Sequence, residues 1–411
     1  MAKKPVNNLI AALDIGTNKV IALIGEVLNG ETVEIIGVGS HPSRGLKQGM
    51  VVNIDATVQS IQHAVAEAEA MAGCKIHSVY TGIAGGHIKS LNSQGIVPIR
   101  DNEVTQNDVD RVIEAAKAVA IPADQKILHI LPQEFIIDSQ KGIKEPIGMS
   151  GVRLEAKVHI VCGSMSATQN IIKCIERCNL RAANIILQPL ASSLAVLSED
   201  EKELGVCLVD IGGGTTDVAV FTNGAIRHSI VIPIAGDQVT NDIAIAFRTP
   251  TKYAENIKIN HACACQSLIN DGETITVPGI TQQPTREITK KTLTEVVEAR
   301  YEELFSLVKR ELKNYNFGDG IAAGIVLTGG ASKMNGALNV AERIFQMPVR
   351  LGAPYSTHGQ DQVADNPIYS TGVGLLLSGY QSQQEGHPEI SFGDGVKGVW
   401  DRMKSWFHGN F

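Results

Sequence analysis

The sequence predicts an α/β protein of two similar halves facing each other across a cleft. Two observations carry that prediction. The segment "LIAALDIGTNKVIALIGEV" at residues 9–27 reads as an apolar strand, a tight turn containing glycine, and a second apolar strand. The segment "GVCLVDIGGGTTDVAVFTNG" at residues 205–224 repeats it, with Asp-Ile-Gly again closing the first strand. Two copies of one hairpin half a chain apart imply a duplicated architecture. A chain of 411 residues is also too long for one compact core and calls for at least two domains.

The composition of the two turns is that of phosphate-binding loops. Gly16, Gly212, Gly213 and Gly214 let the backbone approach an anion closely, and Thr17, Thr215 and Thr216 add hydroxyl donors. Asp14 and Asp210, just before the turns, would repel a bare phosphate but can hold Mg2+ directly or through its waters. A lone "DIGT" is explained as well by hairpin geometry. Three consecutive glycines followed by two threonines inside a strand pattern are not, because an ordinary hairpin does not require them. Neither G-x-x-x-x-G-K-[ST] nor a G-x-G-x-x-G after a strand stands at these places, so the phosphate chemistry belongs to a different fold.

The totals narrow the classes further. A net charge of −7 and a pI near 5.9 argue against a general nucleic-acid binder, leaving room only for a local basic patch. The apolar run near the N-terminus is broken at Asp14 and lacks a small-residue cleavage site, which is not a secretory signal pattern. No run of eighteen apolar residues occurs, so no spanning helix is expected. Seven scattered cysteines fit reduced thiols in a cytoplasmic protein. In "HACAC" the residues His261, Cys263 and Cys265 lack a second ligand pair at zinc spacing and read as small buried thiols.

Both tryptophans fall in the last stretch, "GVWDRMKSWFHGNF". On a helical wheel Val396, Val399, Trp400, Met403, Trp406, Phe407 and Phe411 share one arc, and Lys397, Asp401, Arg402, Lys404 and His408 the other. The preceding "QSQQEGHPEISFGDG" is polar and bears Gly and Pro, as a flexible tether does. A helix docked on its own domain and a helix in a partner's groove are alternatives. The tether, the aromatic bias and a local charge of +2 (three basic residues less one acidic) favour an anionic membrane surface, with Val399, Trp400, Met403, Trp406 and Phe407 as the lipid contacts.

These motifs resemble those of the actin, Hsp70 and sugar-kinase superfamily of ATPases. "DIGTNK" (Asp14, Gly16, Thr17, Asn18, Lys19) resembles its first phosphate loop and "DIGGGTTD" its second. "LTGGASKMNG" resembles its adenosine motif, through Gly329, Gly330, Ala331 and Met334. "PIAGDQVTNDI" places Gly236 and Asp237 near the phosphates, and "AENIK" places Glu255 and Lys258 where relatives hold the ribose. "ILQPLASSLAVL" resembles the helix carrying the residue that orients attacking water, here Gln188. Gln188 reads equally well as a polar residue beside Pro189 at a helix start. The resemblance implies an actin-like fold: two RNase-H-like halves around a nucleotide cleft, each with an inserted subdomain. It implies ATP and Mg2+ as cofactors, Asp14 and Asp210 as metal residues, and Gln188 and Asp210 as the catalytic pair. A neutral amide is a poor base, so any hydrolysis should be slow.

Within the superfamily the chain is similar over essentially its whole length to the FtsA family of bacterial cell-division proteins. The match includes "SRGLKQGMVVNIDATVQSIQHAVAEAE" and "GIAGGHIKS". That likeness implies a first core subdomain at 1–83 plus 166–190 with an inserted small subdomain at 84–165. It implies a second core subdomain at 191–243 plus 305–380 with an insertion at 244–304, then a linker at 381–395 and the helix at 396–411. The implied role is an ATP-binding protein that polymerises, tethers FtsZ filaments to the cytoplasmic face of the membrane at the division site, and recruits later division proteins through the first insertion. The second insertion would dock the C-terminal peptide of FtsZ, with Arg300 and Glu303 as candidates, although a charged helical face is usually only solvated. A pilus-assembly ATPase and a small-molecule kinase of the same fold are the alternative functions.

Overall fold

The computed structural model of the chain describes residues 8–28, 32–270, 272–280, 284–317, 320–355 and 358–384. The aromatic C-terminal segment, with its five candidate lipid contacts, lies outside the described residues.

The first half opens with β1 (Leu9–Ile15), β2 (Lys19–Leu28) and β3 (Thr32–Pro42), an antiparallel meander. Near-continuous apolar runs bury β1 and β2 on both faces, as central strands require. A two-stranded ribbon, β4 (Leu46–Lys47) and β5 (Met50–Val51), leads into α1 (Ile54–Ala72). The Asn53 side chain accepts from the Ala56 N–H to cap α1, and Gly73 ends it in the left-handed conformation. β6 (Ser78–Ile83) then joins parallel to β1.

Between β6 and the rest of this half the chain builds a second unit from β7 (Lys89–Pro98), α2 (Gln106–Lys117), β8 (Gln125–Ile137), β9 (Gln140–Ile143) and β10 (Arg153–Ser164). Its antiparallel sheet runs β7-β10-β8-β9 and has a separate core around Val112, Ile113, Leu154 and Ile160. α3 (Met165–Glu176) and β11 (Arg181–Leu187) complete the first sheet in the order β11-β6-β1-β2-β3. α4 (Gln188–Val196) and α5 (Glu199–Leu204) cross to the second half.

The second half repeats the plan. β12 (Val206–Ile211), β13 (Thr216–Thr222) and β14 (Ala225–Ile232) form a meander. After α6 (Gly236–Ala246), α7 (Thr251–His261), the hairpin β15 (Thr274–Val277) and β16 (Arg286–Thr289), and α8 (Lys290–Asn314), the parallel strand β17 (Ile325–Thr328) pairs with β12. α9 (Ala337–Phe345), β18 (Val349–Leu351) and α10 (Ser370–Gln384) follow. The sheet order β14-β13-β12-β17-β18 matches β3-β2-β1-β6-β11 strand for strand. The duplication read from the two hairpins therefore extends to whole sheets.

α8 runs unbroken through residue 304, because Phe305, Val308 and Leu312 continue the buried stripe of Leu293, Val297, Tyr301 and Leu304. One element differs in extent from the sequence expectation. α10 continues to Gln384, inside the stretch expected to be linker; Gln is a good helix former, and Ser382 bonds the Tyr80 side chain.

α4 and α10 pack against each other so closely that a side chain at Gly374 would overlap the Ala191 carbonyl. Both helices contribute to the first-half core, which also takes in Leu208, Ala219 and Phe221 of the second sheet. The inserted sheet is strapped to β14: Ser90 donates to the Ser229 carbonyl at 2.7 Å, Asn92 to that of Arg227 at 3.1 Å, and Gln133 to that of Ile226 at 2.9 Å. His159, 1% exposed, closes this network on Asn92 and Ser229, and burial first, then His228, lowers its pKa to about 3.

Candidate functional site

The two turns are the same turn twice. The Gly16 N–H donates to the Lys19 carbonyl at 3.0 Å, and the Gly212 N–H to that of Thr215 at 3.0 Å. Ile15 lies opposite Val20, and Ile211 opposite Thr216. Asp14 and Asp210 therefore hold one structural position. Their cross-strand partners differ: Asp14 faces Ile21, whereas Asp210 faces Asp217.

Asp217 is a site residue the sequence reading missed. It was legible in the register of "DIGGGTTD", which puts the two aspartates directly across the hairpin. It is 3% exposed; Thr215 donates to one carboxylate oxygen at 3.1 Å, and the other oxygen, Oδ1, is buried with no protein partner. Burial, then the neighbouring Asp210, raises its pKa to about 8. Asp14 keeps part of its surface open to the cleft but is enclosed on its other sides; burial first and then Asp210 raise its pKa to about 7. Asp210 is also raised by burial, against the opposing hydrogen bonds from Ser192 and Thr371.

α4 reaches both halves from one face. At its first residue Gln188 donates through Nε2 to Asp14 Oδ1 at 3.1 Å, and Gly82 leaves room for that amide. One turn later Ser192 donates to Asp210 Oδ2 at 2.6 Å. Thr371, on the first turn of α10, reaches the same oxygen at 3.3 Å.

The two turns also touch across the cleft. A Cβ on Gly213 would lie 2.5 Å from Asn18 Cγ, and one on Gly214 2.6 Å from Thr17 Oγ1. Glycine is required there because the facing loop occupies the space. Asn18 donates to Asp237 Oδ1 at 2.7 Å, tying the first turn to the start of α6, and Thr17 accepts from the Gly49 N–H at 3.1 Å. Lys19 stands exposed at the head of β2. Thr216 is turned elsewhere: its hydroxyl donates to the Ile234 carbonyl at 2.7 Å, so it supports the loop's backbone rather than offering a free donor.

The remaining motifs meet at the same place. The Gly236 and Asp237 N–H groups donate to the carbonyls of Gly212 and Gly213 at 3.1 and 2.8 Å. Lys258 pairs with Glu255 at 2.7 Å and donates to the Gly236 carbonyl at 3.1 Å, while Thr240 donates to Glu255. Gly329 has φ of +84°, and a Cβ there would run into Asp210 Oδ1 and the Ile211 carbonyl. Gly330 is different, since its Cβ would meet only Ile368 Cγ1 at 3.6 Å; protein packing leaves that backbone face open. Ala331 lies 3.4 Å from a Cβ at Gly236, and Met334 closes the short 3-10 turn Gly330–Lys333. Tyr301 of α8 fixes that turn by donating to the Ala331 carbonyl at 2.7 Å.

Arg300 and Glu303 are paired within the chain. The Arg300 guanidinium grips Asp242 of α6 with two bonds of 2.6 and 2.9 Å and also pairs with Glu303. Asp242 raises the Arg300 pKa further. The thiols of "HACAC" are engaged locally, Cys263 with the Cys265 carbonyl and Cys265 with the Ser267 hydroxyl.

The arrangement therefore offers a glycine-lined backbone, the ammonium groups of Lys19 and Lys258 at its edge, and three desolvated carboxylates close enough to oppose each other's ionisation. Such a set lacks positive charge at its centre. Among the described residues no group of three or more His, Cys, Asp or Glu side chains forms a ready-made metal cage. The adjacent carboxylates and the unpartnered Asp217 Oδ1 are a donor set that Mg2+ would fit, since that ion keeps several waters and is held by one or two carboxylates together with substrate phosphates.

Fold and cleft together define the class, an actin-like protein whose first half carries an inserted domain. A chain of the PilM-PilN type IV pilus biogenesis complex shares the fold with a TM-score of 0.67 at 16% identity, covering 92% of this chain and 99% of that one. ADP-bound MreB5 of Spiroplasma citri matches with a TM-score of 0.55 at 17% identity, covering 91% of this chain and 96% of that one. Residues 85–162 match the family described as the SHS2 domain inserted in FtsA, and residues 207–374 the family described as cell division protein FtsA. The chain is 60% identical to cell division protein FtsA of Pseudomonas aeruginosa, with all of both chains covered, and 46% identical to that of Escherichia coli K12, again over all of both. The chain belongs to the FtsA family of cell-division proteins.

Proposed function

We propose that this protein is an ATP-binding, polymer-forming scaffold that attaches FtsZ filaments to the inner face of the cytoplasmic membrane at the division site. The observation that carries the nucleotide reading is the meeting of both turns, the α6 start, the Lys258–Glu255 pair and the Gly329–Met334 segment in one cleft. Membership of a cell-division family displaces the pilus-assembly and kinase alternatives.

The residues fit ATP with Mg2+. Gly16, Thr17, Asn18 and Lys19 on one side, and Gly212, Gly213, Gly214 and Thr215 on the other, would frame the phosphates, with Thr216 supporting the loop from behind. Asp14 and Asp210, with Asp217, would hold the hydrated ion, which supplies the positive charge that three adjacent carboxylates lack. Glu255 and Lys258 would meet the ribose, and Gly329, Gly330, Ala331 and Met334 the base, on the backbone face left open at Gly330. Gln188 commits its Nε2 to Asp14, which leaves its amide oxygen to orient a water without acting as a strong base. Turnover is therefore slow, and the nucleotide acts chiefly as a ligand that favours the closed state of the two halves.

Outside the cleft, the α8 subdomain would dock the FtsZ C-terminal peptide through Arg300 and Glu303. The SHS2 insertion would meet later division proteins. No described helix is long and apolar enough to cross a membrane, and attachment is assigned to the segment around Trp400 and Trp406. One tail binds reversibly; many tails on one polymer bind tightly through effective concentration. Equilibrium ATP binding with and without Mg2+ tests the core of this reading. Wild type binds in the presence of Mg2+ and Asp210→Ala does not; unchanged affinity in that variant removes Asp210 from the site.

A further inference from the structure

We propose that Ser192 and Thr371 are positioning residues for the cleft ion, and that α4 and α10 form a bracket whose relative register sets the strength with which the two halves hold it. The inference rests on the nucleotide reading above and extends it to residues outside the phosphate and adenosine motifs.

Asp210 Oδ2 accepts from Ser192 at 2.6 Å and from Thr371 at 3.3 Å, and the two hydroxyls lie 3.0 Å from each other. Ser192 is 0% exposed and Thr371 8%, so water does not compete for these bonds. A hydroxyl bond to a carboxylate is charge-assisted and directional, as the 2.6 Å Ser192 bond is, and the longer Thr371 contact adds a second restraint on the same oxygen. The other oxygen is pressed against Gly329, whose missing side chain is what admits it. Asp210 is thus gripped on both oxygens' sides by elements other than its own strand.

Gln188 and Ser192 are four residues apart on α4 and so share a face. One holds the aspartate of the first half and the other that of the second. Thr371 belongs to α10, which touches α4 at Gly374 and Ala191, and its neighbour Ser370 bonds Thr328 at the end of β17, 2.7 Å away. A slide of α10 along α4 would therefore separate Thr371 from Ser192 and from Asp210, leaving Asp210 on the Ser192 bond alone while Gln188 kept Asp14 in place. The distance between the two carboxylates, and so the fit to one hydrated ion, depends on two helices meeting beneath them.

The experiment is a titration of ATP affinity against free Mg2+, using full-length protein and a fluorescent ATP analogue. Ser192→Ala and Thr371→Val are each expected to raise the Mg2+ midpoint roughly tenfold, the usual scale for losing an outer-shell partner of a metal ligand. Their weaker Mg2+-free binding of the analogue should match wild type, and Thr371→Ser should restore the wild-type midpoint. A merely structural loss would instead weaken binding equally with and without Mg2+, and that result overturns the proposal. So does a wild-type Mg2+ midpoint in Thr371→Val, whether or not Ser192→Ala folds. If wild type itself showed no Mg2+-dependent binding, the nucleotide reading would fall first, so the two failures are distinguishable.

Discussion

Replacing Asp217 by Asn should make the nucleotide-free protein more stable, although the residue sits in the functional cleft. In the wild type this carboxyl group titrates near 3.8 when unfolded and at about 8 when folded, because burial and Asp210 oppose its charge. The folded state therefore binds the proton more tightly. Stability from this group is fully present below the unfolded value and declines as pH rises toward the folded one. At about pH 7 the unfolded chain is ionised and the folded chain still protonated, a gap of about 3 pH units and so about 4 kcal/mol at most. Relaxation and water entry into the cleft bring a realistic gain nearer to about 2 kcal/mol, still large against a total stability of about 5–15 kcal/mol. Asn keeps an oxygen for the Thr215 hydroxyl and has no proton to hold. Urea denaturation in EDTA is the assay: the midpoint of Asp217→Asn should exceed wild type at about pH 7 and converge with it near pH 4. With Mg2+ and ATP present the order should reverse, since the wild-type carboxylate then has a counter-charge. An equal midpoint at about pH 7, or a gain that does not depend on pH, would refute the reasoning.

Three further outcomes follow from the same geometry. Gly329→Ala should abolish ATP binding and cost about 1–3 kcal/mol from a positive-φ extended backbone that is essentially restricted to glycine, with more from the collision with Asp210; calorimetry showing wild-type affinity would contradict it. Asn18→Ala removes the bond to Asp237 across the cleft, and cleft opening read by a fluorophore pair on the two halves should rise in the absence of nucleotide. Glu303→Gln leaves the bidentate Arg300–Asp242 pair intact, so the unfolding free energy should stay within about 0.5 kcal/mol of wild type while FtsZ peptide affinity falls; unchanged affinity removes Glu303 from the docking surface.

What the sequence revealed and what it hid divide along physical lines. The hairpins and their glycines were legible because turn geometry and phosphate approach are local demands written into adjacent residues. Asp217 was half legible: its type and spacing were visible, but its role depended on the Asp210 register. Ser192 and Thr371 were hidden, since a small hydroxyl on an apolar helix gives no sign of which carboxylate it will meet 18 or 161 residues away. Thr216 looked like a free donor until β14 brought the Ile234 carbonyl against it. Arg300, on the charged face of α8, is held by Asp242, a partner 58 residues distant that no periodicity announces.

The central claim is that a nucleotide-loaded body and its aromatic tail together carry FtsZ to lipid. Vesicle flotation with anionic liposomes, Mg2+-ATP and FtsZ filaments tests it, comparing wild type with Trp400→Glu and with a chain ending at Gln384. FtsZ should float with wild type and remain at the bottom with both variants, while both still bind ATP and the FtsZ peptide normally. FtsZ floating equally well with the truncated chain would contradict the account.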